Sequence, residues 1–158
     1  MTMTLTYQIE IQKLTDQFTA VVRAELPGDE LPAWLAGTFG AVHDYLRRAG
    51  VAPTGPPFLR IAFLGTTMAA EAGFPVGHEI DGDGLVEASA LPGGPAVVTS
   101  HMGPYEDLVE AYRLVERWLG EHHYAPAGPH WEVYYTDPTT EPDPAHWRTD
   151  LVQPFRAG

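Results

Sequence analysis

Apolar and polar positions alternate in some stretches of the chain and recur every three to four residues in others. Tyr7, Ile9 and Ile11 alternate with Gln8, Glu10 and Gln12, which predicts a half-buried strand. Phe18, Ala20, Val22 and Ala24 alternate with Thr19, Val21, Arg23 and Glu25 and predict a second strand. The segment PGDELP breaks it. From Leu31 to Ala49 the spacing turns helical, with Leu35, Phe39, Val42 and Leu46 on one stripe. GVAPTGPP then leads into the strand FLRIAFL, and PVGHEI predicts a fourth strand before the turn DGDG.

The second half follows the same plan. LVEASAL and AVVTSHM predict strands flanking the turn PGGP. HMGPYEDLVEAYRLVERWLGEHH predicts a helix, with Gly103 as its N-cap and Pro104 in its first turn. Leu108, Tyr112, Val115 and Leu119 form the apolar stripe. HWEVYYT predicts a strand, the Pro-rich TDPTTEPDPAH a loop, and WRTDLVQPF a last strand.

The two halves superpose at a constant offset of 73 residues. Tyr45 meets Trp118, Leu46 meets Leu119, Pro53 meets Pro126, Gly55 meets Gly128 and Phe58 meets Trp131. Phe39 meets Tyr112 upstream, and Phe74 meets Trp147 downstream, with no gap between. One domain over residues 1–158 follows, with internal repeats at about 5–80 and 84–156. The expected fold is α+β: duplicated β-α-β-β units with pseudo-twofold symmetry, an antiparallel sheet, helices on one face and a central cleft.

Within HWEVYYT, alternation sends Trp131, Val133 and Tyr135 to one face and Glu132, Tyr134 and Thr136 to the other. Glu132 stands where its twin strand has Leu59. A carboxylate at a position that is apolar in the other half is an asymmetry a ligand site would create. Beside tyrosines it could pair with a cationic ligand while the rings stack on the ligand body. Partial burial could equally raise its pKa and make it a general base for water, with Tyr134 donating a hydrogen bond. A solvated sheet face is the plain alternative.

Composition narrows the field. Twenty-one Asp and Glu oppose nine Lys and Arg, a formal charge of −12, and no basic patch appears, which argues against nucleic-acid binding. There are no cysteines, so disulfides and thiolate chemistry are excluded and a reducing cytoplasm is expected. The opening MTMTLTYQIE has no secretory pattern, and no apolar run approaches a membrane span. Ser89 and Ser100 lack a nucleophile-elbow context, and the histidines lack metal-ligand spacing, so neither metal nor cofactor is expected.

The string from HMGPY to YYTDP, followed by WRTDLVQPF, resembles the GyrI-like effector-binding domain of AraC- and MerR-type drug-sensing regulators. VAPTGPPFLRI is similar to its first-half counterpart, and the resemblance runs from about Tyr7 to Phe155. It implies a hydrophobic, aromatic cleft in which an acidic residue of an E-x-Y strand meets a bulky lipophilic cation. That acid is Glu132 and the tyrosine Tyr134. The H-x-G-P-Y segment implies further walls at His101 and Tyr105, and Trp147 is a further aromatic wall by position. Ile61 occupies a position at which many relatives have tyrosine, so the first half of the cleft is expected to be more aliphatic.

Three functions remain open. The first is a stand-alone binder of hydrophobic or cationic small molecules, without direct nucleic-acid contact because no helix-turn-helix is present. The second, implied by hydrolases among the relatives, opens the cyclopropane ring of DNA-alkylating natural products with Glu132 and Tyr134 as catalytic residues. The third binds a protein partner, such as a regulator or DNA gyrase.

Overall fold

The structure, a computed structural model, describes residues 7–158. Residues 1–6, which carry most of the expected leader-free start and the first positions of the first repeat, lie outside the described residues. The first half supplies β1 (Ile9–Leu14), β2 (Gln17–Leu26), α1 (Leu31–Ala49), β3 (Phe58–Phe63) and β4 (Met68–Pro75). The second supplies β5 (Glu87–Leu91), β6 (Gly94–Met102), α2 (Leu108–Glu121), β7 (Tyr124–Pro126), β8 (Trp131–Tyr134) and β9 (Arg148–Ala157).

Two expected elements are corrected. The fourth strand is Met68–Pro75 and not PVGHEI. The β3–β4 hairpin closes at once, Leu64 N–H donating to Thr67 O at 2.9 Å, so pairing begins earlier. The strand MAAEAGFP carries no β-branched residue and reads weakly as a strand. Small residues are needed there: a Cβ on Gly73 would collide with the backbone of Ala20 on the paired strand. Val76 keeps a single bridge to Pro53, and Ile80 packs into the core. The second helix also starts later than expected. His101 and Met102 finish β6, a 3-10 turn covers Tyr105–Asp107, and Asp107 is the N-cap in place of Gly103. Gly103 instead takes a φ of 137°, a bend that a side chain would resist.

The sheet order is β1-β6-β9-β8-β3-β4-β2-β5, all pairs antiparallel, with β7 added against β9. The order is symmetric about the β8–β3 seam: β6-β9-β8 on one side mirrors β2-β4-β3 on the other. The outermost strands are exchanged. β1 precedes β2 in the chain but pairs with β6, and β5 precedes β6 but pairs with β2. The two crossing connections meet where Gly93 N–H donates to Asp16 Oδ1 at 2.6 Å.

The sheet's two faces do different work. On one face α1 packs against Ala20, Val22, Leu59, Ile61, Ala70 and Ala72, and α2 packs against Val97, Leu151 and Phe155. On the other face the sheet curls, so that Val21, Phe58, Val98, Trp131 and Val152 from distant strands meet in one cluster. The helical stripes behave as their spacing predicts: Val42 and Leu46 of α1, and Leu108, Val115 and Leu119 of α2, are buried. Among the described residues no helix is long and apolar enough to cross a membrane.

Candidate functional site

Strand β8 lies beside the seam, and its alternation places Glu132 and Tyr134 beneath the helices. Glu132 is only 7% exposed. Its neighbours across the sheet are Leu59 on one side and Leu151 on the other, so the ladder offers the carboxylate no polar partner. Burial pushes its pKa up to about 7, and the nearby Tyr112 hydroxyl of α2 draws it partly back. No Arg or Lys side chain forms an ion pair with it among the described residues. Arg60 is on the neighbouring strand, but it points to the opposite face, with its guanidinium 5.8 Å from the Trp131 ring.

Aromatic rings close over this carboxyl. Tyr134 meets Phe39 of α1 edge to face at 5.9 Å and Tyr105 at 5.7 Å. Tyr105 in turn lies 5.0 Å from Trp147. Burial pushes the Tyr134 phenol well above its ordinary value, with the Glu132 charge adding to the effect. For Tyr105, burial leads, followed by the charges of Asp137 and Glu132. Burial also raises the Tyr112 phenol, with Glu132 next. Two polar atoms near the site lack partners: Thr149 Oγ1, fully buried opposite Tyr134, and His130 Nε2, whose ring meets Tyr112 at 4.7 Å. Burial lowers the His130 pKa, so the ring is neutral.

Each residue singled out from the sequence has a definite place. Glu132, Tyr134, Tyr105 and Trp147 form one group. Ile61, 6% exposed, packs in the same cluster as Tyr134 and Phe39. His101 stands apart from the rings. It is 1% exposed, with Nδ1 2.8 Å from the Tyr7 hydroxyl and Nε2 3.0 Å from Pro104 O. The carbonyl can only accept, so Nε2–H donates to it, and in the neutral ring Nδ1 accepts from Tyr7. His101 therefore pins the turn that carries Tyr105. That turn is also tied to Trp147, whose carbonyl accepts from Gly103 N–H at 2.8 Å.

Tyr112 and Phe39 were not singled out for the site from the sequence, although the repeat paired them. Each twin helix lowers one ring toward the E-x-Y strand, Phe39 onto Tyr134 and Tyr112 onto Glu132. Two open grooves lie on the opposite face. One of about 770 Å³ is lined by Phe58, Trp131 and Val133, and one of about 600 Å³ by Arg60 and Glu71. Glu132 lines neither.

The fold is a curled antiparallel sheet with paired helices and a buried carboxylate at the seam. A family model for the GyrI-like small molecule binding domain matches residues 7–156, and the chain belongs to that family. The C-terminal domain of EcmrR is similar in structure, with a TM-score of 0.83 at 19% identity, covering 98% of this chain and all of that one. SAV2435, solved bound to tetraphenylphosphonium, matches with a TM-score of 0.61 at 14% identity, covering 94% of each chain. A hydrolase from Listeria innocua matches with a TM-score of 0.66 at 13% identity, covering 94% of this chain and 92% of that one. At these identities the likeness shows the fold. No curated protein matches the sequence.

Proposed function

We propose that the chain binds bulky hydrophobic monocations beneath its helices, with Glu132 meeting the positive charge and Tyr134, Tyr105, Trp147 and Phe39 walling the ligand body. His101 and Ile61 shape the walls from behind. One observation carries this reading: a buried carboxylate with aromatic rings around it and, among the described residues, no basic side chain paired with it. Such a group is costly to ionise alone and gains most from a cation brought in by a ligand. The cation-bound relative of the same fold supports it. The rings touch one another in this state, so entry requires the Tyr105–Trp147 pair to swing outward. The cytoplasm is the proposed location, on the cysteine-free composition.

The test is fluorescence titration with rhodamine 6G, comparing the wild type with Glu132→Gln. Saturable binding that weakens tenfold or more, about 1.4 kcal/mol, is expected. Equal affinity in the variant would remove Glu132 from the site.

A second reading has its own observation. A carboxyl with a pKa of about 7 beside a phenol suits general-base activation of water. The hydrolase among the similar structures supports this reading. Chromatographic turnover of a cyclopropane-bearing alkylator, lost in Glu132→Gln, would establish it.

A further inference from the structure

We propose that the Glu132 site takes a monocation in exchange for one proton, so that ligand charge and proton compete for a single carboxyl group. This rests on the cation-site reading and goes beyond it: it sets the stoichiometry, the charge class and the pH response of the site. The exchange balances as Glu132–COOH plus ligand cation giving the carboxylate–cation pair plus a proton released to solvent.

The geometry makes Glu132 costly to ionise without a counter-charge. Its carboxyl is enclosed by Leu59 of β3, Leu151 of β9, Tyr112 of α2 and Tyr134 of its own strand. The groups facing it are uncharged or acidic. Tyr112, Tyr134 and Tyr105 have raised phenol pKa values, and His130 is held neutral by burial. Thr149 brings a hydroxyl without charge. His101 and Tyr7, further along the same face, are engaged with each other. Outside the rings, His43 lies against Phe74, and His146 lies within 4 Å of Glu141 and Asp143. None of these can neutralise a carboxylate behind the rings. Without ligand, Glu132 stays neutral by keeping its own proton up to about neutral pH.

A single carboxyl also sets the ligand's charge. One monocation neutralises it, whereas a dication would bury an unpaired charge. A neutral molecule of the same shape displaces no proton and finds its best partner in the protonated acid.

The experiment is calorimetric titration of the whole chain with tetraphenylphosphonium in two buffers of different ionisation heat, from pH 6 to 8.5. The neutral comparison ligand is triphenylphosphine oxide. Expected are close to one proton released per cation at pH 6, close to none at pH 8.5, and affinity rising roughly tenfold across that range. The neutral ligand should show no such rise. Glu132→Gln should release no proton while keeping every histidine, which separates the carboxyl from His43 and His146. Tyr112→Phe, which removes the hydroxyl that lowers the carboxyl's pKa, should move the affinity rise to higher pH. Cation binding with flat pH dependence and no proton release would overturn the exchange and leave the cation site standing. No binding at any pH would overturn both.

Discussion

Leu59 and Glu132 are direct cross-strand partners at the seam between β3 and β8. They are also equivalent positions of the repeat, 73 residues apart. The flanking pairs, Phe58 with Val133 and Arg60 with Trp131, exchange with each other under the same offset. The pseudo-twofold axis therefore passes through the Leu59–Glu132 pair. The carboxylate is the break in symmetry at the centre of the molecule, where both helices can reach it.

That placement makes Glu132 a stability cost at high pH. Its folded pKa lies near 7 against an ordinary 4.5, so the folded chain holds a proton that the unfolded chain releases. Stability from this group is full below about pH 4.5 and is lost as pH rises through 7. Glu132→Leu should therefore gain on wild type by up to about 3 kcal/mol above pH 7 and by little at pH 4.5. Urea unfolding of both proteins at the two pH values measures the gap. A gap independent of pH would mean that folding leaves the carboxyl's pKa unshifted.

Tyr105 is the exposed end of the ring series, 38% accessible. Tyr105→Ala should weaken dye-cation affinity three- to tenfold, about 0.5–1.5 kcal/mol, while speeding association because the mouth is wider. Stopped-flow fluorescence reads both. Unchanged association with unchanged affinity would place ligand entry elsewhere.

His101 is predicted to be structural. His101→Ala leaves the Tyr7 hydroxyl and the Pro104 carbonyl without their partner and opens a cavity, a loss of about 3 kcal/mol. Tyr7→Phe should cost about 1–2 kcal/mol and leave cation affinity within twofold. Thermal unfolding and the rhodamine titration together decide it. A large affinity loss in Tyr7→Phe with normal stability would make this pair part of the ligand wall.

Gly93 sits where the two crossing connections touch. An added Cβ would stand 2.8 Å from both Asp16 N and Leu14 O. Gly93→Ala should cost about 2 kcal/mol or more, seen as a lower urea midpoint. Gly84, with no neighbour within reach of its Cβ but a φ of 94°, should lose about 1 kcal/mol from backbone strain alone.

The helices were legible because their stripes are strong: Val42, Leu46, Val115 and Leu119 are buried as the spacing requires. The β8 alternation was equally legible and fixed which side Glu132 faces. The strand Met68–Pro75 was not, because its place under α1 calls for alanine and its close approach to β2 calls for glycine, and both carry little strand signal. The true start of α2 was hidden because Gly103 and Pro104, good helix-entry residues, serve a tight bend fixed by His101. The offset of 73 paired the helices and the E-x-Y strand with their twins. Beyond Thr136 the halves run out of step, because the connection to β9 is longer than the Leu64–Thr67 turn. The pairing of Phe74 with Trp147 is the visible result: Phe74 lies inside β4, while Trp147 precedes β9. Tyr112 was missed as a site residue because a helical stripe tyrosine looks like core until its hydroxyl is found beside a buried carboxyl.

The exchanged outer strands give the molecule a mechanical property. Each half grips the far edge of the other, β1 on β6 and β5 on β2, like two hands clasped at the wrists. Neither half can tilt about the seam to admit a ligand without dragging a strand of its twin. Tilting either half about the seam therefore loads the Gly93–Asp16 hydrogen bond where the two connections touch.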